Sequence, residues 1–131
     1  MIAVGSGVIN DSVKFVTSRT GLPYIIVATA PSMDGYVADG APIISHGYKY
    51  SPVAHLTYGL IGDTDILQTA PADLIQAGFG DMVGKITAMA DWDLALKVTG
   101  EYRCDTSCEL TRRGMKMCFE KAEGLKVRDE S

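Results

Sequence analysis

The chain has 131 residues, 47% of them apolar and 21% charged, with a net charge of −4. That length suits one ordinary domain, burying roughly two-thirds of its unfolded surface, and the composition excludes a disordered chain. The acidic balance argues against non-specific nucleic-acid binding, which needs clustered Lys and Arg, and no apolar run approaches the ~20 residues of a membrane span.

Residues 2–5, Ile-Ala-Val-Gly, form a short apolar run that ends in Gly5-Ser6-Gly7. A helical pattern follows through Val8, Ile9, Val13, Phe15 and Val16, and stops at Thr20-Gly21, glycine being a common helix terminator. Leu22-Pro23 turns the chain into residues 24–28, Tyr-Ile-Ile-Val-Ala, apolar on both faces as in a buried parallel sheet. Residues 2–28 therefore predict one βαβ unit, and right-handed crossover geometry puts the glycine turn at the carboxyl edge of the sheet.

Residues 29–41 are rich in Gly, Pro, Ser and Asp and predict a loop with room for one helical turn. Ile43, Ile44, Gly47 and Tyr48 suggest a β-hairpin over 42–50. Leu56 to Ile61 predicts another parallel strand, closed by Gly62-Asp63, and a short helix opens with Thr64 as N-cap. From Pro71 onward the strand signals vanish. Ala72 to Val98 predicts a long helix interrupted at Gly78-Phe79-Gly80, and 101–122 a second helix with Leu110, Met115, Cys118 and Phe119 toward a core. The last residues, 127–131, read as a polar tail. The expected fold class is α/β: a partial Rossmann-like parallel-sheet nucleotide-binding domain over 1–70, then the start of an all-helical domain over 71–131.

Cys104, Cys108 and Cys118 make an odd count with no second zinc-type pair, so packed thiols are expected. With no signal-peptide pattern at Met1, a reducing, cytoplasmic setting is expected. Arg112, Arg113 and Lys116 lie in a helical pattern with Glu109 and Glu120 and read as a solvated helix face.

Several residues carry candidate chemistry. Glycines between a strand and a helix let backbone approach a phosphate, and the helix N-terminus adds free N–H groups and partial positive charge. Asn10 stands where the third glycine of a Rossmann fingerprint would fall, so the turn admits both a phosphate site and an ordinary tight connection. Asp11 is either a carboxylate suited to the helix dipole or a contact to a cofactor's edge. Thr29 and Ser32, two hydroxyls after the next strand, can hold a pyrophosphate or cap a helix. Asp34 can accept from polyol hydroxyls or simply form a turn. Gly78 and Gly80 each cost about 1 kcal/mol within a helix, so close packing or a site must justify them. Asp81, in a mostly apolar segment, needs a partner if buried; a metal ion would be one.

The succession Gly-Ser-Gly-Val-Ile-Asn-Asp at 5–11, Thr-Ala-Pro-Ser-Met-Asp-Gly at 29–35, Asp-Thr-Asp-Ile-Leu at 63–67, Ala-Gly-Phe-Gly-Asp at 77–81 and Ala-Asp-Trp at 90–92 resembles the sn-glycerol-1-phosphate dehydrogenases, most closely the bacterial branch. These belong to the superfamily of iron-containing alcohol dehydrogenases, glycerol dehydrogenases and dehydroquinate synthases. The resemblance runs from Ala3 to Glu130. It implies reduction of dihydroxyacetone phosphate to glycerol 1-phosphate by NADH or NADPH, with a divalent metal (zinc, nickel or iron) polarising the carbonyl, in an enzyme that is homo-oligomeric at full length. By motif, Gly5, Gly7, Val8, Ile9, Asn10 and Asp11 match the cofactor loop, and Thr29, Ala30, Pro31 and Ser32 its second cofactor contact. Asp34 matches a substrate carboxylate, and Asp81 the metal-ligand Asp that also meets substrate.

Ala38 stands where many members have a cofactor-contacting Ser, which removes one hydrogen bond. Members carry earlier βα units before the first strand, and their two metal-ligand histidines follow the last residue here. His46 and His55 match neither ligand and read as loop residues. The chain is thus expected to be an internal piece that does not turn over alone. The residues also admit a non-catalytic nucleotide-binding module, or an inactive truncated gene product.

Overall fold

In the computed structural model, which describes residues 1–127, three parallel strands carry the first half of the chain. The residues read as a polar tail, from Arg128 onward, lie outside the described part. Strand β1 (Ile2–Gly5) pairs with β2 (Ile25–Ala28) in the register Ile2 to Ile25, and β2 pairs with β5 (Gly59–Gly62) from Ile25 to Gly59. The sheet order β1-β2-β5 puts β2 at the centre, as its unbroken apolar run requires. The third strand lies slightly later than the expected Leu56–Ile61 because Thr57 is tied back: its hydroxyl donates to the Tyr24 and Gly59 carbonyls.

Helix α1 (Gly7–Thr20) connects the first two strands and ends at Gly21, whose φ of 70° is the left-handed conformation that glycine adopts without a Cβ penalty. Ala3, Ile26 and Ala28 form the core with Tyr24 and Tyr36, and Val13, Met33 and Leu67 pack against it. The other sheet face carries Ile2 and Val4, 70% and 61% exposed. The loop after β2 holds one 3-10 turn, Gly35–Val37, and leads into the hairpin β3 (Ile43–Ser45) and β4 (Tyr48–Tyr50). His46 and Gly47 make its turn, both with positive φ (51° and 81°), the arrangement that matches the twist of a tight hairpin.

After β5 the described elements are helical: α2 (Thr64–Leu67), α3 (Ala72–Thr99), α4 (Asp105–Glu120) and α5 (Ala122–Val127). Three expectations change here. The N-cap of α2 is Asp63, not Thr64; its carboxylate accepts from the Asp65 N–H at 3.0 Å. Helix α3 runs through Gly78-Phe79-Gly80 without a break. The expected second helix is two, divided at Lys121, and Cys108 is its buried residue, whereas Leu110 and Phe119 are exposed. Trp92 ties α3 to the following turn by donating its indole N–H to the Tyr102 carbonyl (3.0 Å), and Phe79 meets Phe119 edge-on. No described helix is long and apolar enough to cross a membrane.

Candidate functional site

The glycine turn is shaped by lack of room. A Cβ on Gly5 (φ 158°) would fall 2.7 Å from Cγ1 of Ile9, so only glycine lets the chain swing from β1 into α1. Gly7 lies under Met33, whose sulfur would sit 3.2 Å from an added Cβ. The first bond of the helix runs from the Asn10 N–H to the Ser6 carbonyl (3.0 Å). The N–H groups of Gly7, Val8 and Ile9 precede that bond and have no intrahelical acceptor. The Ser6 side chain does not cap them. Thr29 donates its N–H to the Gly5 carbonyl (3.2 Å), so the ends of β1 and β2 are stitched together. Residues 5–11 and 29–32 thus share the carboxyl edge of the sheet, with free donors and the positive end of a helix dipole between them. That is an environment suited to an anion.

The polar face of α1 turns inward. Asn10, Lys14 and Thr17 are fully buried, while Val8, Ile9 and Val16 are exposed. The Lys14 ammonium donates to the carbonyls of Gly35 (3.0 Å) and Gly40 (3.1 Å) and stands 3.9 Å from the Asp11 carboxylate. Asn10 donates its side-chain N–H to Asp11 (3.1 Å), and its Oδ1 has no partner. Burial pushes the Asp11 carboxyl above its ordinary range, with Lys14 opposing; burial also pulls the Lys14 ammonium down, with Asp11 opposing. Lys14 and the Tyr36 hydroxyl, which donates to the Ala30 carbonyl (2.7 Å), fix the loop that follows β2. Neither role was singled out from the sequence. The opposite charges of Asp11 and Lys14 at a three-residue spacing were the available signal.

Helix α3 crosses that loop at Gly78. A Cβ there would lie 1.8 Å from the Pro31 carbonyl oxygen, so the glycine is justified by close approach of two backbones. Gly80, with open space around it, has no such reason. One turn beyond Gly78, the Asp81 carboxylate accepts the Asp34 N–H at 2.9 Å across 47 residues of sequence. One turn further, Lys85 forms an ion pair with the Asp34 carboxylate. Positions 78, 81 and 85 occupy a single helix face. The bond from the Asp34 N–H holds the Asp81 carboxyl below its usual range; partial burial opposes this, and contact with the Asp34 side chain and the charge of Lys85 add to it. Lys85 was also missed, although its spacing from Asp81 marks it as a neighbour on that face.

The remaining candidates lie elsewhere. His46 sits in the hairpin turn, its ring against the Ser45 hydroxyl, and His55 packs its ring near Tyr24. Among the described residues no group of three His, Cys, Asp or Glu side chains is placed to hold a metal ion, so Asp81 fits one ligand's share and no more. Ala38, exposed after the 3-10 turn, offers only its backbone N–H, which bonds the Gly35 carbonyl. Cys108 is buried, and Cys104 and Cys118 are half-buried free thiols. A cavity of about 470 Å³ between α3 and α5, lined by residues such as Ile75, Phe79 and Leu125, touches none of the candidate site residues.

A parallel α/β sheet with a glycine turn at its carboxyl edge, followed by helices, defines a Rossmann-like nucleotide-binding architecture. The chain belongs to the iron-containing alcohol dehydrogenase family, whose model matches residues 1–71. It is similar to the glycerol-1-phosphate dehydrogenase (NAD(P)+) of Bacillus subtilis (strain 168), with 40% identity over 131 residues, 100% of this chain and 33% of that relative. The chain therefore spans about a third of the relative's length. Among solved structures it resembles glycerol dehydrogenase from Schizosaccharomyces pombe, with a TM-score of 0.57 and 28% identity over 63% of this chain and 22% of that one. In fold it also resembles 2-epi-5-epi-valiolone synthase from Streptomyces hygroscopicus subsp. jinggangensis, solved with NAD+ and Zn2+ bound. The TM-score there is 0.57 and the identity 19%, over 95% of this chain and 38% of that one.

Proposed function

We propose that this chain is the cofactor- and substrate-positioning segment of a cytoplasmic, homo-oligomeric NAD(P)-dependent glycerol-1-phosphate dehydrogenase. The observation that carries the reading is the bond from the Asp34 N–H to Asp81, which brings two carboxylates together beside the glycine turn. The N–H groups of Gly7, Val8 and Ile9 hold the cofactor pyrophosphate, with Gly5 giving the close approach and Asn10 and Asp11 supporting from the first turn of α1. Thr29, Ala30, Pro31 and Ser32 close over it from the neighbouring strand end. Asp34 accepts a hydrogen bond from a substrate hydroxyl. Asp81 is one ligand of a divalent metal, which when bound polarises the substrate carbonyl. A nicotinamide held there would supply a hydride to the carbonyl carbon of dihydroxyacetone phosphate, and a proton drawn from water would complete glycerol 1-phosphate. A domain division near residue 70 puts the cofactor on one side and Asp81 on the other, with the contact between Pro31 and Gly78 as the seam.

The test grafts this segment into the Bacillus subtilis relative in place of the matching third. The chimera is expected to oxidise NADH or NADPH with dihydroxyacetone phosphate in the presence of zinc, nickel or iron. Asp81→Ala should abolish turnover while leaving cofactor binding in place. A folded chimera that binds nucleotide and shows no metal-dependent reduction would favour a non-catalytic nucleotide-binding module instead.

A further inference from the structure

Lys85 and Asp34 are about a third exposed (30% and 36%), and ion pairs this open to water contribute little to folding. The course of α3 over the loop is already set by Gly78 against Pro31 and by the Asp34 N–H on Asp81. What Lys85 adds is a partly exposed cation on a flexible stem, one turn beyond Asp81 on the same helix face. Lys14 is not available for such a task, because its ammonium is buried and committed to the carbonyls of Gly35 and Gly40. A phosphorylated polyol entering between Asp34 and Asp81 brings a dianion toward two carboxylates, and like charges at such range repel unless a cation stands between them.

We infer that Lys85 is a specificity-determining residue: its ammonium exchanges the Asp34 carboxylate for the substrate's phosphate, and Asp34 is thereby freed to accept from a substrate hydroxyl. The exchange keeps one cation paired with one anion before and after. A lysine suits it, since its flexible stem and three rotatable donors follow a phosphate that a rigid fork would fix. The same exchange selects a phosphate ester over a free polyol, because glycerol offers Lys85 nothing in return for Asp34. This inference rests on the polyol-phosphate site proposed above.

The test titrates the isotopically labelled 131-residue chain with glycerol 1-phosphate, inorganic phosphate, glycerol and NADH, following backbone amide shifts. In the wild type, glycerol 1-phosphate and phosphate should move the amides of Asp34, Gly35 and Lys85. Lys85→Met should weaken glycerol 1-phosphate binding by about tenfold or more, the scale of a lost charge-assisted hydrogen bond. NADH binding should be unchanged, glycerol should bind no more weakly than before because Asp34 no longer has a cation to give up, and Lys85→Arg should retain part of the ester affinity. If Lys85→Met collapses the amide signals into the narrow range of an unfolded chain, Lys85→Gln takes its place. Equal weakening of glycerol and glycerol 1-phosphate would overturn the inference, since Lys85 would then only orient Asp34. So would unchanged binding of the ester in the variant, or no ester binding by a wild type that takes NADH. A wild type that takes neither NADH nor the ester would sink the proposed function as well.

Discussion

Replacing Gly78 with alanine sets two effects of similar size against each other. In an open helix the change favours the helix by about 1 kcal/mol, because alanine has less conformational freedom to lose. At this position the new methyl would lie 1.8 Å from the Pro31 carbonyl oxygen and 2.8 Å from its carbon. Both are backbone atoms that no rotamer change can move, so helix and loop must part by more than an ångström. Overpacking of this kind costs about 1–3 kcal/mol, and more where backbone must shift. The contact should dominate, leaving Gly78→Ala destabilised by about 1–2 kcal/mol. Gly80→Ala, two residues on in the same helix and facing open space, should instead gain about 0.5–1 kcal/mol. Urea unfolding of the two variants reads the difference directly. Amide exchange adds a local measure, because parting α3 from the loop lengthens the bond from the Asp34 N–H to Asp81 and should speed exchange of that proton. A Gly78→Ala protein as stable as Gly80→Ala, with Asp34 exchange unchanged, would refute the close-approach argument.

Lys14→Met leaves the Gly40 carbonyl without its ammonium donor, while Gly35 keeps the Ala38 N–H, and should cost about 1–3 kcal/mol, measured as a lowered urea midpoint; an unchanged midpoint would contradict its part in fixing the loop. Burial raises the Asp11 carboxyl above its ordinary 3.8, so the folded chain holds that proton more tightly than the unfolded one. The stability of the wild type relative to Asp11→Asn should therefore rise as pH falls from neutral through the raised value, levelling off below about pH 4; a difference that falls instead would reverse the assignment.

The parallel unit was legible because its signals are local. An apolar run, a glycine turn and the left-handed stop at Gly21 each act within a few residues. The exchange of Thr64 for Asp63 as cap is a one-position matter, decided by which oxygen reaches the Asp65 N–H. What could not be read locally depends on partners far along the chain. Gly78 looks the same in sequence whether it breaks a helix or admits a neighbour, and its neighbour is Pro31. The burial of Asn10, Lys14 and Thr17 runs against the ordinary rule that polarity means exposure. In Lys14 that rule yields to two carbonyls from a loop more than twenty residues away. Asp34 and Asp81 were each visible as candidate carboxylates, whereas the ion pair with Lys85 emerges only once α3 lies across the loop.

If the turn after β1 and the segment after β2 hold a nucleotide's phosphates together, adding NADH to the labelled chain should shift the amides of both. The largest changes are expected at Gly7, Val8 and Ile9, whose N–H groups have no intrahelical acceptor, and at Thr29, Ala30 and Ser32 beside them, with the hairpin of Ile43–Ser45 and Tyr48–Tyr50 unmoved. Saturable shifts confined to the cavity between α3 and α5, or to the hairpin, with the glycine turn silent, would contradict it.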